Sequence, residues 1–185
     1  MNSYKLQTRY AQSLFDLALQ EGLTREVLDD AYLIMQVCLQ NHELRTVLQN
    51  PIIKPCRKKA IVAEIFAAKT QTLTQAFLNL LIQKRRDILL YEIAQRYTEI
   101  YKEHNNIRTA YLTTVEPLEQ DVRTAIVGKI EAELGTKVDL QTKTDTRLIG
   151  GFRLLVDGKE YDASFANQLA KLKKDFARNE YERTF

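Results

Sequence analysis

Residues 91–117 read YEIAQRYTEIYKEHNNIRTAYLTTVEP, and within them the chain changes its period. Up to Tyr101 the apolar positions are Ile93, Ala94, Tyr97, Ile100 and Tyr101, the spacing of one face of an α-helix. After His104, Asn105 and Asn106, the run from Ile107 to Val115 is rich in Thr, Tyr, Val and Leu, which suit a pleated strand. Glu116 and Pro117 then open another helix, since proline fits a first helical turn. The switch sets a boundary near residue 105. It predicts a mostly α protein: an N-terminal six-helix antiparallel bundle over 1–105 and a small α+β domain over 106–185.

Upstream, the periodicity gives five more helices. The first covers Tyr4 to Glu21 and stops at Gly22. The second runs from Thr24, its expected N-cap, to Gln40. Asn41 is expected to cap a short third helix, which Asn50 and Pro51 break. Pro55 starts a fourth, a fifth covers Thr72 to Lys84, and Asp87 starts the sixth. Downstream, the helix opened by Pro117 carries Leu118, Val122, Ile126, Ile130 and Leu134 and ends at Gly135. Val138 to Thr142 alternates as a strand does. Phe152 to Val156 and Lys159 to Tyr161 flank Asp157 and Gly158, a hairpin signal. A last helix begins near Ser164 and carries Phe165, Leu169, Leu172 and Phe176.

Composition narrows the function classes. Among 185 residues, 45% are hydrophobic and 28% charged, which fits a folded globular protein. Net charge is only +3, too balanced to demand a nucleic-acid partner. Cys38 and Cys56 lack ligand spacing and are expected to be reduced. No apolar run approaches the ~20 residues of a membrane span, and the N-terminal segment lacks a signal-peptide core. The expectation is a cytoplasmic protein without direct membrane insertion.

Catalytic patterns are missing. The two histidines, His42 and His104, fall at helix ends, where a solvated or capping role is expected. No Cys/His cluster has zinc spacing, so no metal site is assigned. Neither a nucleophile elbow nor a phosphate loop occurs, and no cofactor is expected. Gly150 and Gly151 precede a strand, not a helix, and are expected to form a structural turn or a close backbone approach. Three basic clusters are Arg57-Lys58-Lys59, Lys84-Arg85-Arg86, and Lys171 with Lys173 and Lys174. Solvated helix faces account for them, and no aromatic residues alternate with them to stack on bases.

What the chain over-supplies is apolar helix surface. In the first helix Tyr10, Ala11, Leu14, Phe15, Leu17, Ala18 and Leu19 sweep an arc of roughly 200°. In the fifth, Leu73, Ala76, Phe77, Leu78, Leu80, Leu81 and Ile82 sweep as much or more. One core needs a stripe of only somewhat over 100°. Either these helices are buried on most sides, or a second face forms a groove for a partner's amphipathic helix.

Two stretches carry a family resemblance. Residues 9–18, RYAQSLFDLA, look like the opening helix of ATP synthase delta subunits, relatives of the mitochondrial oligomycin-sensitivity-conferring protein. Residues 142–164, TKTDTRLIGGFRLLVDGKEYDAS, look like that family's signature of a polar strand, an apolar-x-Gly-Gly-apolar core, a short strand, a turn and Asp-x-Ser. The resemblance covers essentially the whole chain. It implies a non-catalytic stator subunit that links the catalytic head to the peripheral stalk and resists rotor torque. It also implies partners: the N-terminal helices of alpha subunits, and the b subunits of the stalk. The implied site is the cytoplasmic face of a bacterial inner membrane, held there through the complex.

Carried across by position, the alpha-subunit groove takes Tyr10, Ala11, Leu14, Phe15 and Ala18 from the first helix. From the fifth it takes Phe77, Leu78, Leu81 and Ile82, with Arg85 as a rim charge. One-sided burial puts about half of these in the core. Leu169, Leu172 and Phe176 face either a stalk helix or their own sheet. The rival readings are a helical nucleic-acid-binding domain or another adaptor module, motivated by the basic clusters, and a small enzyme with a cleft near residue 105.

Overall fold

A computed structural model describes residues 3–178, with side-chain burial given for 4–174. The chain divides into two compact units, Met1–Asn105 and Asn106–Phe185.

The described part of the first unit holds six α-helices: α1 (Ser3–Glu21), α2 (Thr24–Gln40), α3 (His42–Gln49), α4 (Pro55–Phe66), α5 (Thr72–Gln83) and α6 (Leu90–His104). The sixth helix is shorter than its sequence pattern suggests, because Asp87–Leu89 forms a 3-10 turn before it. Its core is apolar and joins all six helices. At its centre Phe15 of α1 packs on Tyr97 of α6, with ring centroids 5.8 Å apart. Burying two such rings contributes about 2–3 kcal/mol each. The Tyr97 hydroxyl donates to the Thr24 carbonyl at 3.2 Å, and burial pushes its pKa up. Leu90 and Tyr91 share a cavity with Cys38 and Leu39, so α6 runs antiparallel to α2.

Helix ends depart from the sequence reading in an instructive way. Thr24 lies inside α2 and caps nothing. Asn41 turns its amide back to the Val37 carbonyl at 3.1 Å, so it closes α2 and leaves α3 without a side-chain cap. The N-terminus of α5 has no cap of its own either. Instead Asp30, buried on α2, accepts from the Gln71 amide at 2.9 Å and the Thr74 hydroxyl at 2.6 Å. A carboxylate there accepts the amide of the N-cap residue and meets the positive end of the helix dipole.

Lys58 requires a correction. The sequence places it on a solvated basic face, yet it is buried. Its ammonium donates to the Leu48 carbonyl at 2.6 Å and to the carboxylate of Asp87. Burial without partners would be costly for either charge, so each is held in place by the other.

The second unit is a four-stranded sheet of order β2-β1-β3-β4. Its elements are β1 (Arg108–Thr114), α7 (Gln120–Leu134), β2 (Val138–Thr144), β3 (Phe152–Val156), β4 (Lys159–Asp162) and α8 (Phe165–Arg178). β1 pairs parallel with β2 across the α7 crossover and antiparallel with β3. Ala110, Leu112, Leu140, Val156 and Ile130 form its core under α7. Helix α7 starts three residues later than Pro117 predicts, because the Thr114 hydroxyl donates to the Glu116 carbonyl at 2.7 Å and holds a bend there. Residues 179–185 lie outside the described residues.

Both cysteines are free thiols. Burial raises the pKa of Cys38 to about 11, whereas Cys56 is exposed. Only the thiolate reacts, so alkylation at pH 8 is expected to label Cys56 and spare Cys38 until the chain is unfolded. Equal labelling rates in the native protein would contradict this burial. Lys58→Ala and Asp87→Ala are each expected to cost about 3–5 kcal/mol in urea unfolding, since each strands a buried charge. A loss below about 1 kcal/mol would mean the pair is solvated.

Candidate protein-binding surfaces

The structure divides the predicted groove residues by burial. Ala11, Leu14, Phe15 and Ala18 of α1 and Leu78, Leu81 and Ile82 of α5 are all buried in the unit's own core. Tyr10 and Phe77 are half-buried and meet edge to face, with ring centroids 6.5 Å apart. Phe77 also lines a small apolar cavity of about 20 Å³, with Leu14 and Thr74 among others and without Tyr10. The large surplus apolar side chains of these two arcs emerge instead at Leu17, 46% exposed, Leu19, 50% exposed, and Leu80, 41% exposed, with Leu19 on the side of α1 away from Leu17.

The helical period explains this division. On α1, Leu17 lies seven residues from Tyr10 and shares its flank. On α5, Leu80 lies three residues from Phe77 and shares that flank. Each helix therefore buries one face and shows an apolar flank beside the Tyr10–Phe77 contact. Arg85 lines a different cavity, with Ile52, Pro55 and Ile88 and with no residue of α1.

His104 is exposed, and its ring packs on Phe15 at 5.1 Å between centroids. The contact holds the last turn of α6 against α1. Arg96 lies over the Tyr4 ring at 5.8 Å and pairs with Glu99 at 2.7 Å, which raises its pKa. It ties the start of α1 to α6. Sequence periodicity signals neither contact, because both depend on which helices become neighbours.

In the second unit the Gly150–Gly151 pair anchors α8. Gly150 has φ +125°, and a Cβ there would lie 2.4 Å from the Phe165 ring. Gly151 has φ +78°, and a Cβ there would lie 2.3 Å from the Ala163 carbonyl oxygen. Only glycine permits both the backbone angle and the approach. The Phe165 amide donates to the Gly150 carbonyl at 3.2 Å. Buried Ser164 caps the helix by accepting from the Asn167 amide at 3.3 Å. The Ser164 amide donates to Asp162 at 2.9 Å. Hydrogen bonds from Ser164 hold the Asp162 carboxyl below its ordinary pKa, with Arg153 adding to the effect.

From this anchor α8 presents Phe165, Leu169 and Leu172, each half exposed or more. Their spacing of four and then three residues makes one stripe. Phe176 extends the same spacing in sequence, though its side chain lies outside the described ones. Lys171, Lys173 and Lys174 are exposed on the same helix.

Among the described residues no group of three or more His, Cys, Asp or Glu side chains could hold a metal. No described helix is long and apolar enough to cross a membrane. Apolar flanks on one unit and an apolar stripe on the other are the kind of surface a helical connector protein offers.

The comparisons with known proteins narrow that class. A family model described as ATP synthase delta (OSCP) subunit matches residues 6–176. An ATP synthase subunit delta of Cytophaga hutchinsonii is 35% identical over 95% of this chain and 96% of its own. One from Flavobacterium psychrophilum is 33% identical over 96% of this chain and 99% of its own. One from Prochlorococcus marinus is 36% identical over 89% and 92%. A chain in the mitochondrial ATP synthase of Toxoplasma gondii has the same fold, with TM-score 0.68 and 22% identity over 93% of this chain and 97% of that one. The chain belongs to the ATP synthase delta (OSCP) subunit family. It is a non-catalytic, structural subunit of the peripheral stalk of an ATP synthase.

Gly151→Ala is expected to destabilise the second unit by about 2 kcal/mol or more, through a strained φ and the clash with Ala163. Thermal unfolding checks it. An unchanged Tm would show that the α8 anchor is looser than these distances imply.

Proposed function

We propose that the first unit, residues 1–105, acts as an antiparallel six-helix bundle that receives the N-terminal helix of an alpha subunit. The second unit, residues 106–185, binds the b subunits of the peripheral stalk. The protein then works as a static clamp between head and stalk, on the cytoplasmic face of a bacterial inner membrane.

One observation carries the first half. Leu17 and Leu80 stay in solvent on the two flanks that meet at Tyr10 and Phe77. An amphipathic helix laid between α1 and α5 covers both. The buried candidates Ala11, Leu14, Phe15, Ala18, Leu78, Leu81 and Ile82 form the floor that fixes the flanks. The second half rests on the Leu169–Leu172 stripe, whose spacing suits the apolar seam of a helical stalk. The nucleic-acid alternative loses ground, because the ammonium of Lys58 is neutralised by Asp87 and withdrawn from the surface.

The test is a titration of the full chain with a synthetic helix from the alpha-subunit N-terminus, followed by amide NMR. Shifts are expected on α1 near Tyr10 and Leu17 and on α5 near Phe77 and Leu80. Leu80→Asp, at an exposed position, is expected to keep the fold and weaken binding roughly tenfold or more. Shifts confined to the basic clusters would overturn the groove.

A further inference from the structure

Helices α1 and α5 end in the same hydrogen-bond pattern, but with different residues at the critical position. At the end of α1 the Leu23 amide reaches back to the Ala18 carbonyl at 2.8 Å and the Gly22 amide to Leu19 at 3.3 Å. At the end of α5 the Arg86 amide reaches the Leu81 carbonyl at 2.8 Å and the Arg85 amide reaches Ile82 at 3.1 Å. Both ends are Schellman turns, whose left-handed residue is normally glycine. Gly22 fills that position at φ +72°, whereas Arg85 fills it at φ +54°. An arginine there carries backbone strain that glycine avoids. Arg85 lines a cleft.

That cleft is formed by two adjoining cavities of about 190 and 280 Å³. They share Leu48, Gln49, Asp87 and Ile88, so they run on from one another along the seam of α3 and the 3-10 turn. Three large apolar side chains stand in solvent along it: Leu39 at 59%, Ile88 at 51% and Ile52 at 87% exposure. Arg45, Lys54 and Arg85 supply cationic lining. Of the carboxylates present, Asp87 is already paired with Lys58, which leaves Glu92. Arg86 and Lys84 adjoin Arg85 on the exposed turn. The surface is thus apolar along its length, with a cationic excess at its edges.

We propose that this cleft is a second docking surface of the first unit, distinct from the α1–α5 flanks, and that it takes an acidic amphipathic helix of a partner protein. Charge complementarity selects the partner: its apolar face covers Leu39, Ile88 and Ile52, while its carboxylates meet Arg45, Lys54 and Arg85. Arg85 is the specificity residue, since its planar fork matches a carboxylate pairwise.

The test uses the full chain and a fluorescent synthetic helix with leucines along one face and glutamates along the other. A lysine-for-glutamate version is the control. The acidic helix is expected to bind roughly tenfold or more tightly than the control. Its amide shifts are expected on Leu39, Ile52 and Ile88 and not on Tyr10 or Phe77. Arg85→Gly separates function from folding. It relieves the strained φ and is expected to raise Tm, yet to weaken binding roughly fivefold or more. Ile88→Ser, exposed in the free protein, is expected to weaken binding without lowering Tm. The proposal is overturned if Arg85→Gly leaves the acidic helix's affinity unchanged. It is equally overturned if the lysine helix binds as well, or if single-stranded DNA or vesicles of anionic lipid compete at the cleft more strongly than the acidic helix does.

Discussion

The ammonium of Lys58 is the fixed point of the helical unit. It stands on α4, accepts the burial forced by the core, and discharges it on two neighbours: a carbonyl near the end of α3 and a carboxylate at the start of the 3-10 turn. Three separate stretches of chain are thereby tied to one charge. The alternatives are a bare charge in a low-dielectric interior or water admitted to the core. Either cost is a large part of the roughly 5–15 kcal/mol that holds a domain folded. The α3–α4 loop and the α5–α6 turn are both placed by that requirement. The cleft lined by Ile52, Arg85 and Ile88 is built on those two segments.

Asp30 plays the corresponding part for α5. None of the described N-termini of α2 to α7 is closed by its own N-cap side chain. The unit meets that deficit from outside, with a carboxylate of α2 set at the start of α5. Helices capped by their neighbours are weak alone and firm together, so their stability is tertiary. Helix α8 of the second unit differs: its own N-cap, Ser164, closes it, and the Gly150–Gly151 approach and the Asp162–Ser164 bond seat it.

Much of this was legible in the sequence. Apolar spacing placed all six helices of the first unit within a few residues, because each buries one face and the 3.6 period records it. The strand at 108–114 and the Asp157–Gly158 hairpin were legible for similar local reasons. Lys58 was misread because it stands in a run of three cations, and one-dimensional patterning cannot show that a carboxylate 29 positions away turns inward to meet it. Asp30 was hidden in the same way, since its partners lie 41 and 44 positions away. Periodicity found the apolar arcs of α1 and α5 but could not separate the buried Leu14 and Leu81 from the exposed Leu17 and Leu80. That separation needs the positions of the neighbouring helices.

The packing of Phe15 against Tyr97 and His104 bears on how the chain is made. These partners belong to the first and last helices of the unit, so the contact closes a long loop. While a ribosome synthesises the chain, α1 emerges first and waits with its apolar face uncovered until α6 has followed it out. The helical unit therefore completes itself late in its own synthesis, when α6 joins α1. During that interval α1 is the segment most open to nascent-chain chaperones and to pairing with the wrong neighbour.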